Sequence, residues 1–414
     1  MTGPLTFTLQ TRTPLWTGGV EPGKMDRIHE TGIIGSLRWW YEVTLRALGL
    51  DICDPTSDDP SDRCPRADQH YCDVCQLFGA TGRSRRFRVQ LGSGDRLFQS
   101  NNILLPSGRP HNNRLGGWYL QAESRIGGLP MCILPLGPVD EVSKLRIPLA
   151  LVHNHSALGA KVSNGYGVVN VTEENGAQIA VDPSMLGQLL GGSSSQMSSD
   201  LPDLRDFFFA KLKFKAPSND PYWWQKVQGI AEAFSGHVTV HGQHLQVFRN
   251  SHDHNRAKDM LRSVVQQHGI VPLAPAVRNW LRYTWFPSRI QSGRVPGRNE
   301  LESYLFGRTR RNDNVASKIN VSHAYRLGKD EWEFRVWGWI PCEPPQDLSF
   351  DRDLFLACLK NLFEGQQTNW RPVFGDATRT NPECTEWHSL DCNSRDGAAY
   401  LNSLLGFKSK VGTP

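Results

Sequence analysis

No stretch of this chain holds the eighteen or so uninterrupted apolar residues that a membrane span requires, so a transmembrane helix is excluded. The start, Met1 to Pro14, lacks the basic run and apolar core of a secretory leader, and a cytoplasmic protein is the expectation. Excess charge is also scarce. Forty-six Lys+Arg against 41 Asp+Glu leave a net +5, too little to demand a polyanionic partner unless it is locally concentrated. What is present is a globular composition, 39% hydrophobic and 21% charged, spread over 414 residues, more than one ordinary core uses. Two domains are therefore expected.

The cysteines number nine, an odd count that argues for thiols or metal ligands over a disulfide framework. Cys53, Cys64, Cys72 and Cys75 crowd together and end in a Cys-x-x-Cys knuckle, offering four thiolates for a closed tetrahedral zinc site, with free thiols as the alternative. His70 is placed to replace one of them. Between them lie Asp, Pro, Ser and Arg residues that form no evident secondary structure, so a metal would supply that loop's core. No βαβ pattern surrounds Cys72 and Cys75, which argues against thioredoxin-like chemistry. Cys132, Cys342, Cys358, Cys384 and Cys392 are scattered and read as small core residues.

Leu5 to Gln10 alternates apolar and polar residues at period two, as does Phe87 to Leu91, and both predict half-buried strands. After Gly32, apolar residues recur at steps of three and four through Leu37, Trp40, Tyr41, Thr44, Leu45 and Leu48, one face of a helix closed by Gly49. The pattern predicts an α+β fold with helices on one face of an antiparallel sheet. A Gly/Ser-dominated stretch at 186–200 cannot pack and divides the chain into domains at 1–185 and 201–414. A second polar, turn-rich stretch, Gly365 to Asp396, reads as a surface insertion.

The two sides repeat one another. Leu77-Phe78-Gly79-Ala80-Thr81 recurs as Leu305-Phe306-Gly307-Arg308-Thr309, each copy leads into an arginine-rich turn, and each follows a similar helix, Leu37 to Tyr41 in the first and Val277 to Leu281 in the second. Arg83, Arg85, Arg86 and Arg88 follow the first LFG and Arg308, Arg310, Arg311 and Lys318 the second. From Val277 to Asn299 come Arg278, Arg282, Arg289, Arg294 and Arg298 with no acid, interleaved with Trp280, Tyr283, Trp285 and Phe286. Guanidinium groups meet phosphates and aromatic faces meet unstacked bases, which is how proteins hold single-stranded nucleic acid; a solvated basic face over a buried aromatic core is the plainer reading. The glycine-rich LGAKVSNGYGVV, Leu158 to Val169, opens no helix after its lysine and is no Walker loop. Its Gly159, Lys161, Asn164, Gly165 and Tyr166 either approach a phosphate or form a tight turn.

Three segments in this order, MDRIHETGIIGSLRWWYE, CDVCQLFGATGRSRRFRV and LGAKVSNGYGVV, resemble the RAMP superfamily of CRISPR effector proteins, in particular the first RAMP subunit of type III-B (Cmr) complexes. The resemblance covers about Leu5 to Val171 well and the second half more loosely. It implies two tandem ferredoxin-like, RRM-related domains, here with an inserted Cys-rich segment at about 51–76 that the minimal family core lacks. It further implies a non-catalytic RNA-binding subunit that contacts the 3′ part of crRNA and the 5′ part of target RNA beside the backbone and small Cmr subunits, in antiviral defence. Family motifs fall on Asp26, Arg27, Glu30, Gly35 to Trp39, Gly159, Lys161, Gly165 and Gly167. The candidate RNA contacts are then Lys24, Arg27, Arg38 and Trp39, the post-LFG Arg83, Arg85, Arg86, Arg308, Arg310 and Arg311 with Lys318, the glycine-rich loop through Gly159, Lys161, Asn164, Gly165 and Tyr166, and Arg278 with Arg282.

The competing function is a RAMP endoribonuclease. Asp26 would serve metal-dependent cleavage, whereas His29, His153 or His155 would act as general acid or base. An aspartate beside Arg27 and ahead of a helix is more simply an ion-pair or capping partner. His237-Val238-Thr239-Val240 lacks the second half of a phosphoesterase signature, and His29-Glu30 lacks the second histidine of a zinc protease.

Overall fold

A computed structural model describes residues 3–66, 69–97, 102–111, 114–189, 201–217, 219–240, 243–289, 298–310, 313–345, 348, 350–375 and 381–407. Most of the Gly/Ser stretch, and with it the expected linker, lies outside these residues, as do Arg294 and Arg311.

The first half is built on β1 (Leu5–Thr11), α1 (Glu30–Ala47), α2 (Asp73–Phe78), β2 (Phe87–Leu91), β3 (Gly128–Pro135), α3 (Arg146–His155) and β4 (Val169–Glu173). Its sheet is antiparallel in the order β2-β3-β1-β4, with Phe7 opposite Met131 on one side of β1 and Glu173 on the other. Alternation sends Phe7 and Leu9, Phe87 and Val89 into the core. The same core receives the predicted face of α1, where Leu37, Trp40, Tyr41, Thr44 and Leu45 are buried. Gly49 follows at φ +83°, a conformation that lets the chain leave the helix.

The second half repeats the plan. It comprises β5 (Phe207–Lys215), α4 (Ala274–Trp280), α5 (Arg298–Phe306), β6 (Ile319–Val321), β7 (Ala324–Arg326), β8 (Glu331–Trp339), α6 (Arg352–Glu364), β9 (Glu383–Ser389) and α7 (Gly397–Leu404). β6 and β7 both pair with β8, Val321 opposite Val336 and Tyr325 opposite Glu333, so together they act as one interrupted strand. The order (β6/β7)-β8-β5-β9 follows that of the first sheet, and a further short strand, Ile270–Val271, pairs on the outer side of β7. β8 is buried from Trp332 to Gly338 and β5 from Phe207 to Ala210, without the alternation of a half-solvated strand. These strands are covered on both faces because the first half packs against this sheet. Arg335 of β8 donates to the carbonyls of His153 and Ser156 (3.1 and 3.3 Å), and Trp39 and Trp40 of α1 meet Trp339 and Phe207.

Two expectations are corrected. The Gly365–Asp396 stretch is no mere insertion, because its residues 383–389 form β9 and complete the second sheet along β5. Its side chains are exposed or half-buried, as on an edge strand, so the apolar signal that marks other strands is missing. Cys342 and Cys392 are no core bystanders either: they form a disulfide.

Candidate nucleic-acid interface and metal centre

The two LFG segments have the same setting. Arg38 of α1 donates to the carbonyl of Gly79 (3.0 Å) and, in the second copy, Arg278 of α4 donates to the carbonyl of Phe306. The amide of Arg86 then donates to Leu77 O and that of Lys318 to Leu305 O, both at 3.0 Å. Gly79 and Gly307 turn at φ +83° and +77°, and a Cβ on either would lie 2.9 Å from the amide nitrogen of Arg85 or of Ser317. Only glycine fits there, which is why the motif recurs.

Both helix arginines are spent on this turn. Arg38 also binds Glu42 (2.8 Å) and Cys75 Sγ (3.4 Å). Arg278 is 6% exposed and reaches across the halves to Ser163 O (3.0 Å). Burial, aided by neighbouring Arg282, lowers its pKa to about 10, so it stays a cation at neutral pH, 5.2 Å from the ring centre of Trp118.

Around Arg278 the halves leave a cleft of about 690 Å³. It is lined by Ser163 and Asn164 of the glycine-rich loop, Arg278, Arg282 and Tyr283 of the α4 segment, Arg308 after the second LFG, and Trp118. Arg282 is paired with Glu302 at 2.8 Å. A neighbouring cleft of about 470 Å³ has Gly32, Ser36 and Trp39 of α1 on one side, Gly159 and Val162 on the next, and Asn320 and Trp339 opposite. Ser317 lines both clefts, which therefore adjoin. Lys318 is held below its ordinary pKa by burial, its ammonium 4.6 Å from the Tyr304 ring centre.

The glycine-rich loop is packed rather than open. Gly159 N–H donates to Ser36 Oγ, Ala160 N–H to Trp16 O, Gly165 N–H to Val162 O and Gly167 N–H to Pro14 O, so these amides are already engaged. Tyr166 is 1% exposed and its oxygen accepts from the Gln121 amide (2.7 Å), so its ring presents no face to a base. Gly165 touches the second half, its carbonyl accepting from His323 N–H. Lys161 sits at φ +59° with its ammonium 4.3 Å from the Trp16 ring centre.

Other sequence candidates lie apart. Arg83 rests over Tyr71, Arg85 donates to Phe87 O (2.9 Å), and Arg86 lies 3.9 Å from Glu141. None of the three lines either cleft. Lys24 and Arg27 make solvent-facing ion pairs with Glu21 and Glu30. Arg310 ends a short strand, Arg308–Arg310. Of the aromatic window, Trp280, Trp285 and Phe286 are core, and Tyr283 alone lines the cleft. Trp118 escaped sequence reasoning; it stands on the hairpin Ile103–His111/Arg114–Leu120, and its only signal was an aromatic after Gly116-Gly117. Asp26 Oδ1 lies 2.7 Å from His29 Nε2, and this contact holds its carboxyl below the usual range. His153 Nδ1 accepts from the Val171 amide.

Cys53, Cys64, Cys72 and Cys75 are all buried, with sulfurs within 4.8 Å of one another. Cys53 Sγ lies 3.4 Å from Cys75 Sγ and 3.6 Å from Cys72 Sγ. Four tetrahedral Zn–S arms of about 2.3 Å would set sulfurs about 3.8 Å apart, so the cluster fits a zinc ion with little movement. Mutual hydrogen bonding lowers the pKa of Cys72 and raises that of Cys53. Cys72 and Cys75 flank the start of α2, which ends in the first LFG, so a metal here would anchor that turn from below.

The sequence profile of the RAMP superfamily matches residues 8–170. Residues 8–170 are thus similar to the RAMP superfamily. This matched segment runs from β1 into β4 and includes α1, the cysteine cluster, the first LFG and the glycine-rich loop. No curated protein matches the chain by sequence. Among solved structures, the chain is similar to a crystal structure of apo Cmr1 from Pyrococcus furiosus, with 13% identity, a TM-score of 0.36, and coverage of 84% of this chain and 92% of that one. It is also similar to a cryo-EM structure of the type III-B Cmr-beta bound to cognate target RNA and AMPPnP, with 9% identity, a TM-score of 0.34, and coverage of 87% and 98%. Among the described residues, no helix is long and apolar enough to cross a membrane.

Proposed function

We propose that this chain is a non-catalytic, RNA-binding scaffold subunit of a type III-B CRISPR ribonucleoprotein, holding the 3′ part of the guide and the 5′ part of the target RNA. In this reading each half is a ferredoxin-like, RRM-related module, joined through 186–200, and the four-cysteine cluster holds structural zinc. The observation that carries the reading is the cleft between the halves, where the glycine-rich loop, Arg282, Arg308, Tyr283 and Trp118 converge beside the adjoining cleft of α1. A basic channel with aromatic faces suits a single strand and reads no base edges, leaving sequence to guide–target pairing. Arg278 serves the groove by shaping the second LFG turn, which lines it.

The test incubates the full-length protein with labelled single-stranded RNA over a series of salt concentrations, with and without Mg²⁺ or Mn²⁺. Retention without shortening, with affinity falling as salt rises, is expected. Metal-dependent cleavage that disappears in Asp26→Ala would replace this reading with the nuclease one. Salt-insensitive association would replace it with a protein-only adaptor.

A further inference from the structure

A second cluster of ligand-type side chains lies where the halves meet, remote in sequence from the cysteines. His155 ends α3 of the first half, and Glu386 and His388 stand on β9 of the second. One Nδ1 or Nε2 of each histidine and a carboxylate oxygen lie within 4.8 Å of one another. Both histidines face the same oxygen: Glu386 Oε1 is 3.4 Å from His155 Nδ1 and 2.9 Å from His388 Nε2.

His388 Nε2 and Glu386 Oε1 stand at hydrogen-bond distance, and the nitrogen of His155 that faces them is left over. His155 is 2% exposed and its Nε2 contacts Leu404 O at 2.6 Å, so Nε2 carries the proton and Nδ1 of the neutral ring offers a lone pair. Among the described residues, that Nδ1 has no hydrogen-bond partner. Instead it points at a carboxylate oxygen, and two electron-rich atoms face each other across a buried gap. A cation between them resolves the conflict. The outer partners fit as well. Metal-bound histidines hand their other ring nitrogen to a carbonyl or hydroxyl, and ligating carboxylates are themselves hydrogen-bonded. Here His155 has Leu404 O, His388 Nδ1 has Ser403 Oγ at 3.4 Å, and Glu386 Oε2 has Lys211 Nζ.

We infer that His155, Glu386 and His388 bind a divalent transition metal, zinc by their donor set, and that this ion clamps the first half to the second. Two imidazoles and one carboxylate are a borderline-soft set that suits zinc better than the oxygen-seeking Mg²⁺ or Ca²⁺. His388 and Glu386 are part-exposed rather than sealed, so a water would complete the fourth position from their side. The site is independent of RNA binding and of the cysteine cluster.

The experiment loads chelator-stripped full-length protein with Zn²⁺ or Co²⁺ and measures bound metal per chain and the cobalt spectrum. His388→Gln, at the open side of the site, is expected to lose one equivalent of metal relative to wild type while keeping any sulfur-to-cobalt charge-transfer band. In Cys72→Ser/Cys75→Ser that band should vanish and cobalt d–d absorption of nitrogen and oxygen ligation should remain. Melting in excess chelator, unchanged by His388→Gln, controls for folding. Equal metal content in wild type and His388→Gln, or no cobalt absorption in the cysteine variant, would overturn the inference.

Discussion

Gly165→Ala tests how the groove is assembled. Gly165 sits at φ +97°, and a Cβ there would lie 2.6 Å from Ala274 Cβ and 2.7 Å from His323 Nδ1. The left-handed backbone disfavours alanine by about 1–2 kcal/mol. Forcing a methyl group into a filled contact adds about 1–3 kcal/mol, because both neighbours are buried and have little room to retreat. The sum is about 2–5 kcal/mol. Gly176 provides the control: it has φ +80° and, among the described residues, nothing within 4 Å of an added Cβ, so Gly176→Ala carries the backbone part alone, about 1–2 kcal/mol. Denaturant unfolding of the two variants, compared at equal slope, isolates the steric part. Because the same loop supplies Ser163 and Asn164 to the cleft, Gly165→Ala should also weaken RNA retention, whereas Gly176→Ala should not. Equal midpoints for the two variants, with RNA retention untouched in both, would refute the argument that this glycine is required by contact between the halves.

Removal of metal should act on the first half: Cys72→Ser/Cys75→Ser, or a strong chelator on wild type, should lower the melting temperature, and an unchanged melt would count against zinc there. Arg282→Ala and Arg308→Ala should each weaken RNA binding about equally across sequences and reduce the salt slope by about one, measured by titration at several salt concentrations. Charge reversal at Arg85 and Arg86 should weaken association as well, and comparing the two pairs reports whether RNA extends from the cleft to the first LFG turn. Burial lowers His323 from 6.5 to about 3. As pH falls below 6.5 the unfolded chain takes up a proton that the buried ring refuses, so stability is lost from about pH 6.5 downward and the loss levels off near pH 3. His323→Gln should reduce the slope of the unfolding free energy across that window, with His155 and His153, lowered by burial to about 3 and about 4, supplying part of what remains; an unaltered slope would refute the contribution of His323.

Much of this was legible in local pattern. The α1 face and the two first-half strands follow from spacings of three to four and of two, which fix which side chains share a surface. The LFG repeat and the Cys-x-x-Cys knuckle were visible because each is set by a short stretch of backbone: a glycine that no other residue can replace, or two thiols within one turn. The polar strand β9 was hidden because its partner, β5, lies far away in sequence and supplies the pairing that its own residues do not announce.

Sequence by itself determined that the LFG segment recurs, where the basic residues cluster and which cysteines converge. Only the tertiary structure decided which cations stay available. Arg278 and Arg38 look like free arginines in a list of residues, yet their guanidiniums are spent on carbonyls of the LFG turns, and Tyr166 is sealed beneath Gln121. It also joined Cys342 to Cys392 and brought His155 to Glu386 and His388. The reason is physical: periodicity and spacing act within a few residues of chain, whereas burial, pairing and charge depend on what the opposite half places against each side chain.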